Sequence, residues 1–237
     1  MQKEKDFLFD TAGETLFGVI GKMHVQTSIL PRSLHPFHHA YRMVTERVGA
    51  ERALDGFDDP CALEELDLHF AQLYFDPLRN YLQEKNKITP WKTYFSYTAK
   101  KPIPFCSMLL GINAHINADL AQTIHELRYN NRRDFRKINK ILEHTIPDLM
   151  NYLAFTQHDL FGLGGVLFPR SINTYFHRII VRWREDAWKN ARRFDLDEIH
   201  RQTEQVAAGI ITAFADITSL RHAVLAVRSL EQLSVKT

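Results

Sequence analysis

The stretch FCSMLLGINAHINADLAQTIHELRY, residues 105–129, decides the fold of this chain. Its apolar residues recur at spacings of three and four, which is the pattern of an α-helix with one buried face. Pro102 and Pro104 mark the loop that precedes it, so a helix is predicted over 105–129. Most of the remaining sequence has the same spacing, and very few segments alternate with period two. The sequence therefore predicts an all-α protein.

Outward from this helix, the chain is predicted to form about eight helices in a single all-helical domain over residues 1–237. Asp59 and Pro60 are a cap and a first-turn proline, Asp134 is a predicted cap, and Pro77 is a predicted kink. The glycine run at 162–165 is interpreted as a mobile connection. The other predicted helices cover 11–28, 36–54, 60–84, 134–158, 169–194 and 195–234, with a short aromatic segment at 89–97.

Composition excludes several classes of protein. The chain has 30 Lys and Arg against 28 Asp and Glu, and the resulting net charge of +2 argues against a nucleic-acid partner. Its longest apolar stretch, 105–112, is far shorter than the ~20 residues of a membrane span, and the first residues contain no apolar run of the length expected in a signal peptide. Two cysteines, Cys61 and Cys106, match no metal or redox spacing and suggest a reducing compartment. We therefore expect a cytoplasmic protein without a membrane partner; its oligomeric state is left open.

Polar residues fall on the predicted buried face of the 105–129 helix. At 100° per residue, His115 and Asp119 lie one turn apart, inside or beside the arc of apolar side chains. Asn113 and Asn117 form a second one-turn pair. Because an unpaired carboxylate or imidazole is costly to bury, these groups must find partners inside the protein.

Other helices show the same feature. Asp67 lies in the middle of the apolar stripe of the 60–84 helix, and Asn139 lies among apolar residues of the 134–158 helix. On the 169–194 helix, Arg182 and Asp186 are four residues apart and flank the apolar arc. The simplest interpretation is that these groups meet His115 in one buried polar cluster between the helices.

Three interpretations of His115 and Asp119 stay open. The pair can be an internal hydrogen bond that fixes helix packing. It can be part of a divalent-metal site with Asp67 as third ligand, although the Glu-x-x-His pairs of di-metal bundles are absent. It can also be an acid/base pair in a small-molecule pocket, with Asp119 or Asp67 orienting the imidazole.

The leading hypothesis is an enzyme that acts on a small, largely apolar molecule. His115, Asp119 and Asp67 are its candidate catalytic residues, and the same three are the candidate ligands of a metal cofactor. Arg182, or alternatively Arg184, could grip an anionic group. The alternative is a non-catalytic binding or scaffold protein whose polar cluster is structural. The candidate substrate-binding residues are Asn113, Asn117, Asn139, Arg182 and Asp186.

The segment LGINAHINADL, residues 110–120, resembles the G-M-N-A-H-I-N-x-D-L motif of a bacterial family called domain of unknown function 5995. Segments around Asp67, Asn139 and Trp188 resemble other segments of that family in the same order, so the resemblance covers roughly 37–194. It implies an all-helical fold and carries no activity. The chain has the pair His38-His39 where the family tends to have Asn-Arg.

Overall fold

The computed structural model describes residues 7–85, 89–100 and 102–215. Within these ranges the chain forms nine helices and no strand, which confirms the all-α prediction with one helix more than expected. In chain order they are α1 (Leu16–Ile29), α2 (His35–Ala53), α3 (Pro60–Leu82), α4 (Lys92–Thr98), α5 (104–126), α6 (Arg132–Thr156), α7 (Leu160–Leu167), α8 (Pro169–Asn190) and α9 (Leu196–Phe214).

Helix α5 is the central element of the fold. Every residue from 105 to 121 is buried, because α2, α3, α4, α8 and α9 all pack against it. The helix is α-helical at both ends and π-helical over Ala114–Asp119, where the Leu120 N–H donates to the carbonyl of His115. Such wider turns are frequent at functional sites, and this one contains both residues of the predicted His–Asp pair.

Of the two helix caps predicted from sequence, one is confirmed and the other is wrong. Asp59 caps α3 as predicted. Asp134 does not cap α6, because Asn131 accepts the N–H of Asp134 and the helix begins at Arg132. The carboxylate of Asp134 instead accepts the backbone N–H groups of Asp58 and Asp59, each at 2.9 Å. It therefore joins the start of α3 to the start of α6.

The glycine run at 162–165 is not the predicted mobile connection. It forms the middle of α7, which packs along α6. A Cβ atom on Gly162 would lie 2.3 Å from the backbone nitrogen of Ala154, so only glycine allows the two helices to approach this closely. The sequence of the run does not show this requirement, because the residue that Gly162 contacts, Ala154, lies on another helix.

Two other predictions concern the aromatic segment at 89–97 and the last helix. The aromatic segment at 89–97 contributes most of the short helix α4. The last predicted helix continues to 234, and the part beyond residue 215 lies outside the described residues. Among the helices that are described, none combines the length and the apolar character needed to cross a bilayer.

Candidate functional site

A cavity of about 90 Å³ lies between α2, α3, α5, α6 and α8. Its walls are mostly aliphatic and aromatic, and Phe37, Phe70 and Phe135 contribute three of the rings. A few polar side chains reach it from different elements, which is the usual make-up of a small-molecule site. These polar side chains are Tyr41, Thr45, Asp67, His115, Tyr129, Thr145 and Arg184.

His115 is held in one orientation by Asp119. Its Nδ1 lies 2.9 Å from Oδ2 of Asp119, and the same oxygen accepts the Nε1–H of Trp91 at 3.0 Å. Burial lowers the pKa of His115 well below its ordinary value and raises the pKa of Asp119 well above its own. The imidazole is therefore neutral. We assign the proton of His115 to Nδ1 because Oδ2 of Asp119 already accepts from Trp91, and this assignment leaves the lone pair on Nε2.

Aromatic rings fix the imidazole from two sides. Phe70 stacks on His115 with centroids 3.5 Å apart and planes 7° apart, and Tyr41 meets it edge-on at 4.4 Å. The ring is nearly inaccessible to solvent, and its Nε2 has no hydrogen-bond partner in the described part of the chain. His115 is also one of the residues that line the cavity.

Asp67 reaches the same cavity from α3. Its Oδ2 is buried and unpartnered among the described residues. Burial raises the pKa of Asp67 from 3.8 to about 7, against the opposite effect of the Arg184 guanidinium. The side chain keeps some accessible surface, which is explained by the cavity that it lines. Tyr129, in the connection after α5, adds a second buried oxygen without a described partner, its Oη.

Arg184 supplies the positive charge of the site. Its Nε donates to Oδ1 of Asn139 and its Nη2 to the carbonyl of Phe135, both at 2.9 Å, and the guanidinium lies 4.3 Å from the Phe135 ring centroid. Burial lowers the pKa of Arg184 to about 10, so it stays a cation at neutral pH. Asn139 is thus a support for Arg184 and does not itself line the cavity.

Several predicted site residues lie elsewhere. Asn117 donates to Asn113, and Asn113 donates to the carbonyl of Thr203 on α9, so this pair joins α5 to α9. Neither amide lines the cavity. Arg182 is exposed, and Asp186 accepts from the neighbouring Lys189. The predicted single cluster is therefore wrong for these residues. The Asn pair lies on a buried side of α5 that contacts α9, and on α8 Arg182 is exposed while Asp186 pairs with Lys189.

The predicted metal ligands do not form a metal-binding group. Among the described residues, no three His, Cys, Asp or Glu side chains are arranged to hold a metal ion. Nδ1 of His115 points at Asp119 itself, so these two side chains bond to each other and do not converge on a common point.

The sequence allows His38 either at the exposed start of a helix or in the interior, and the structure buries it. Its Nε2–H donates to the carbonyl of Met23 at 2.9 Å, and its Nδ1 accepts from the hydroxyl of Tyr74 at 3.2 Å. Burial lowers its pKa to about 4. The signal was its place at the edge of the α2 apolar stripe. With both nitrogens satisfied, His38 is a structural residue.

Comparison with known proteins gives a family and no activity. No curated protein and no solved structure matches the chain. A sequence profile described as "Family of unknown function (DUF5995)" matches residues 18–220, a longer stretch than the resemblance over 37–194. All the polar residues of the cavity lie within this match. Because the match spans most of its length, the chain belongs to the DUF5995 family.

Proposed function

We propose that the protein binds a small, largely apolar molecule in the cavity and exchanges a proton with it at Nε2 of His115. One observation carries this proposal: three buried polar atoms without described partners, Nε2 of His115, Oδ2 of Asp67 and Oη of Tyr129, belong to side chains that line the same cavity. Roughly nine in ten buried polar groups in proteins are hydrogen-bonded. Eleven such atoms occur among the described residues, and the presence of three of them on residues of one cavity supports a ligand that completes them.

Each residue of the site has a chemical role in this proposal. His115 is the base, and Asp119 fixes its tautomer and ring orientation. Asp67, with a pKa of about 7, can give or take a second proton near neutral pH. Arg184 balances the charge of the Asp67 carboxylate, and the apolar walls exclude water from the proton that moves.

The size of the cavity limits the ligand. A cavity of ~150 Å³ holds the six carbons of benzene. By this proportion, the cavity of about 90 Å³ accommodates about four heavy atoms. The ligand, or the part of it that reaches His115, is therefore small.

Xenon, a small apolar guest, is expected to enter the cavity of the purified protein. Under xenon pressure, NMR shifts should be confined to methyl groups that line the cavity, such as those of Ile112 and Leu66. Ala40→Leu should abolish these shifts because it fills the space, whereas Ala50→Leu on the exposed side of α2 should leave them unchanged. Xenon shifts that survive Ala40→Leu would place the guest elsewhere and contradict the proposal.

The tautomers of the two buried histidines provide a second test. We expect nitrogen-15 NMR to show the proton of His115 on Nδ1 and that of His38 on Nε2. Neither imidazole should titrate between pH 5 and 8, because burial lowers both pKa values. The variants His115→Gln and His38→Gln assign the signals. A proton on Nε2 of His115 at neutral pH would remove the proposed base.

The alternative function is non-catalytic, with a polar cluster that fixes helix register. The contacts that favour it are the bond from Trp91 to Asp119 and the ladder from Asn117 through Asn113 to Thr203. Both join α5 to its neighbours without contacting the cavity. A protein that excludes xenon and carries a proton on Nε2 of His115 would support this alternative.

A further inference from the structure

Helix α7 lies at the surface of the protein with an apolar outer face. Its glycines pack against α6, and on the opposite side Leu160, Leu163 and Leu167 lie within about 60° of one another and are exposed. No residue from 160 to 169 carries a charge. A helix that is apolar on all sides is normally buried. The outer face of α7 therefore needs a cover, and the described residues leave it open.

The three leucines are the centre of a larger apolar surface. Phe155 follows Ala154, against which α7 packs, and Phe168 comes directly after the last residue of α7. The α7 patch consists of Phe155, Leu160, Leu163, Leu167 and Phe168, with exposed fractions between 37% and 65%. Eleven large hydrophobic residues are exposed in the described part of the chain, and five of them form this patch. Single exposed apolar side chains are common, whereas such a cluster marks an interaction surface.

The exposed charges that follow the α7 patch along the chain are positive. Arg170 comes two residues after the patch, and Arg178 lies two turns further along α8; both are exposed. Asp159 is the only acidic residue between positions 149 and 184. Its carboxylate is buried and accepts three backbone N–H groups. An apolar surface accompanied by cations and by no exposed carboxylate is typical of proteins that bind anionic lipid surfaces.

A second copy of the chain fits the α7 patch less well than a lipid surface does. A symmetric dimer pairs the same surface of both copies. Arg170 of each copy would then lie in or beside an apolar interface, and positions 149–184 offer no exposed carboxylate to pair with it. An anionic bilayer supplies hydrocarbon for the leucines and negative charge for the arginine.

We infer that α7 binds the surface of an anionic phospholipid bilayer, with the α7 patch at the boundary between headgroups and acyl chains and Arg170 among the headgroups. The expectation of no membrane partner was based on the absence of a spanning stretch, which a surface contact does not need. The inference is independent of the proposed function, because the α7 patch shares no residue with the cavity.

Vesicle sedimentation with the full-length protein tests the lipid contact. The vesicles contain either phosphatidylcholine alone or equal parts of phosphatidylcholine and phosphatidylglycerol. We expect clearly tighter binding to the anionic vesicles, and this preference should weaken as salt screens the charges. Arg170→Gln should reduce binding to the anionic vesicles and leave binding to phosphatidylcholine unchanged. Equal binding of the wild-type protein to both kinds of vesicle would overturn the anionic surface.

Substitutions of exposed leucines then locate the contact. The double variant Leu163→Gln, Leu167→Gln should bind anionic vesicles about tenfold more weakly or less, because two side chains lose their apolar contact. Leu54→Gln is the matched control and should bind like the wild type. Leu54 is exposed near the start of α6, where Asp58 bonds to Asp134, whereas the α7 patch lies about 30 Å away at the end of α6.

The outcomes decide between lipid and other occupants of this face. Equal binding by the double variant and by Leu54→Gln would place the lipid contact elsewhere and overturn the inference. Absence of wild-type binding to either kind of vesicle would also overturn it. Light scattering measures the oligomeric state in the same samples. A wild-type dimer that the double variant converts to a monomer would assign the α7 patch to a second copy of the chain and likewise overturn the lipid surface.

Discussion

Replacing Asp67 with asparagine is expected to stabilise the protein by about 3 kcal/mol more at pH 8 than at pH 4.5. The folded protein holds the pKa of this carboxyl at about 7, against an ordinary value of 3.8. As the pH rises from 4 to 7, the unfolded chain therefore releases this proton first, and the folded state loses stability. Asparagine has the shape of the protonated acid and no carboxyl proton to lose. The variant therefore does not lose stability at this position as the pH rises.

The charged groups around Asp67 are the same in the wild-type protein and in the Asp67→Asn variant. Arg184 on α8 and Arg52 on α2 favour the carboxylate, whereas Glu64 on α3 disfavours it. These groups stay in the variant, so the difference between the two pH values isolates position 67. The measurement is urea unfolding at both pH values. Glu65→Gln, exposed on the same helix, is the matched control and should keep the wild-type pH dependence. Equal effects of both substitutions would show that the carboxyl of Asp67 is not desolvated.

Gly111→Ala is expected to destabilise the protein by about 2–3 kcal/mol, because the added methyl group has no space. A Cβ atom at this position would lie 2.3 Å from Cγ of Phe37. The Phe37 ring cannot retreat easily, since it is buried against the rings of Tyr41, Tyr74 and Trp91. The free energy of unfolding from denaturant titration measures the effect.

Gly21→Ala is the matched control for this substitution. Gly21 is also helical, and a Cβ atom there would have no neighbour within 4 Å. Alanine is the better helix former, so this change should stabilise the protein by up to about 1 kcal/mol. If Gly111→Ala stabilised the protein as well, the close approach of Phe37 to α5 would be wrong.

Gly111 and Asp67 differ in what they contribute to stability. The glycine at 111 is required by packing, and its replacement should reduce stability without a compensating gain. The carboxyl of Asp67 does the reverse, since it lowers stability at neutral pH and removing it should raise stability. A residue that destabilises its own fold while lining a cavity is typical of functional sites, where stability is lost for chemistry.

The pairing of His115 with Asp119 was predicted from sequence because it is local. Residues four apart on one helix face the same way, and the π-helical turn preserves this relation. Asp67 was found because a carboxylate within an apolar stripe is conspicuous in any helical projection. Both predictions needed only the period of the helix and the free energy of burying charge.

The choice between Arg182 and Arg184 could not be made in this way. The two residues are two positions apart, which places them on opposite faces of α8. Only the contact of α8 with α6 decides that Arg184 is buried against Asn139 while Arg182 is exposed. Likewise, the predicted helix runs to Tyr129, whereas α5 ends at Glu126, so the position of the Tyr129 side chain does not follow from the helical projection.

The sequence by itself determined the helical class, the central helix and the two acids that accompany His115, because periodicity and the free energy of burying charge act within single helices. Only the tertiary structure decided which polar groups share a cavity and which join α5 to α9. That choice depends on how the helices pack around α5, and packing depends on contacts between residues far apart in the chain, such as Gly111 with Phe37 and Gly162 with Ala154.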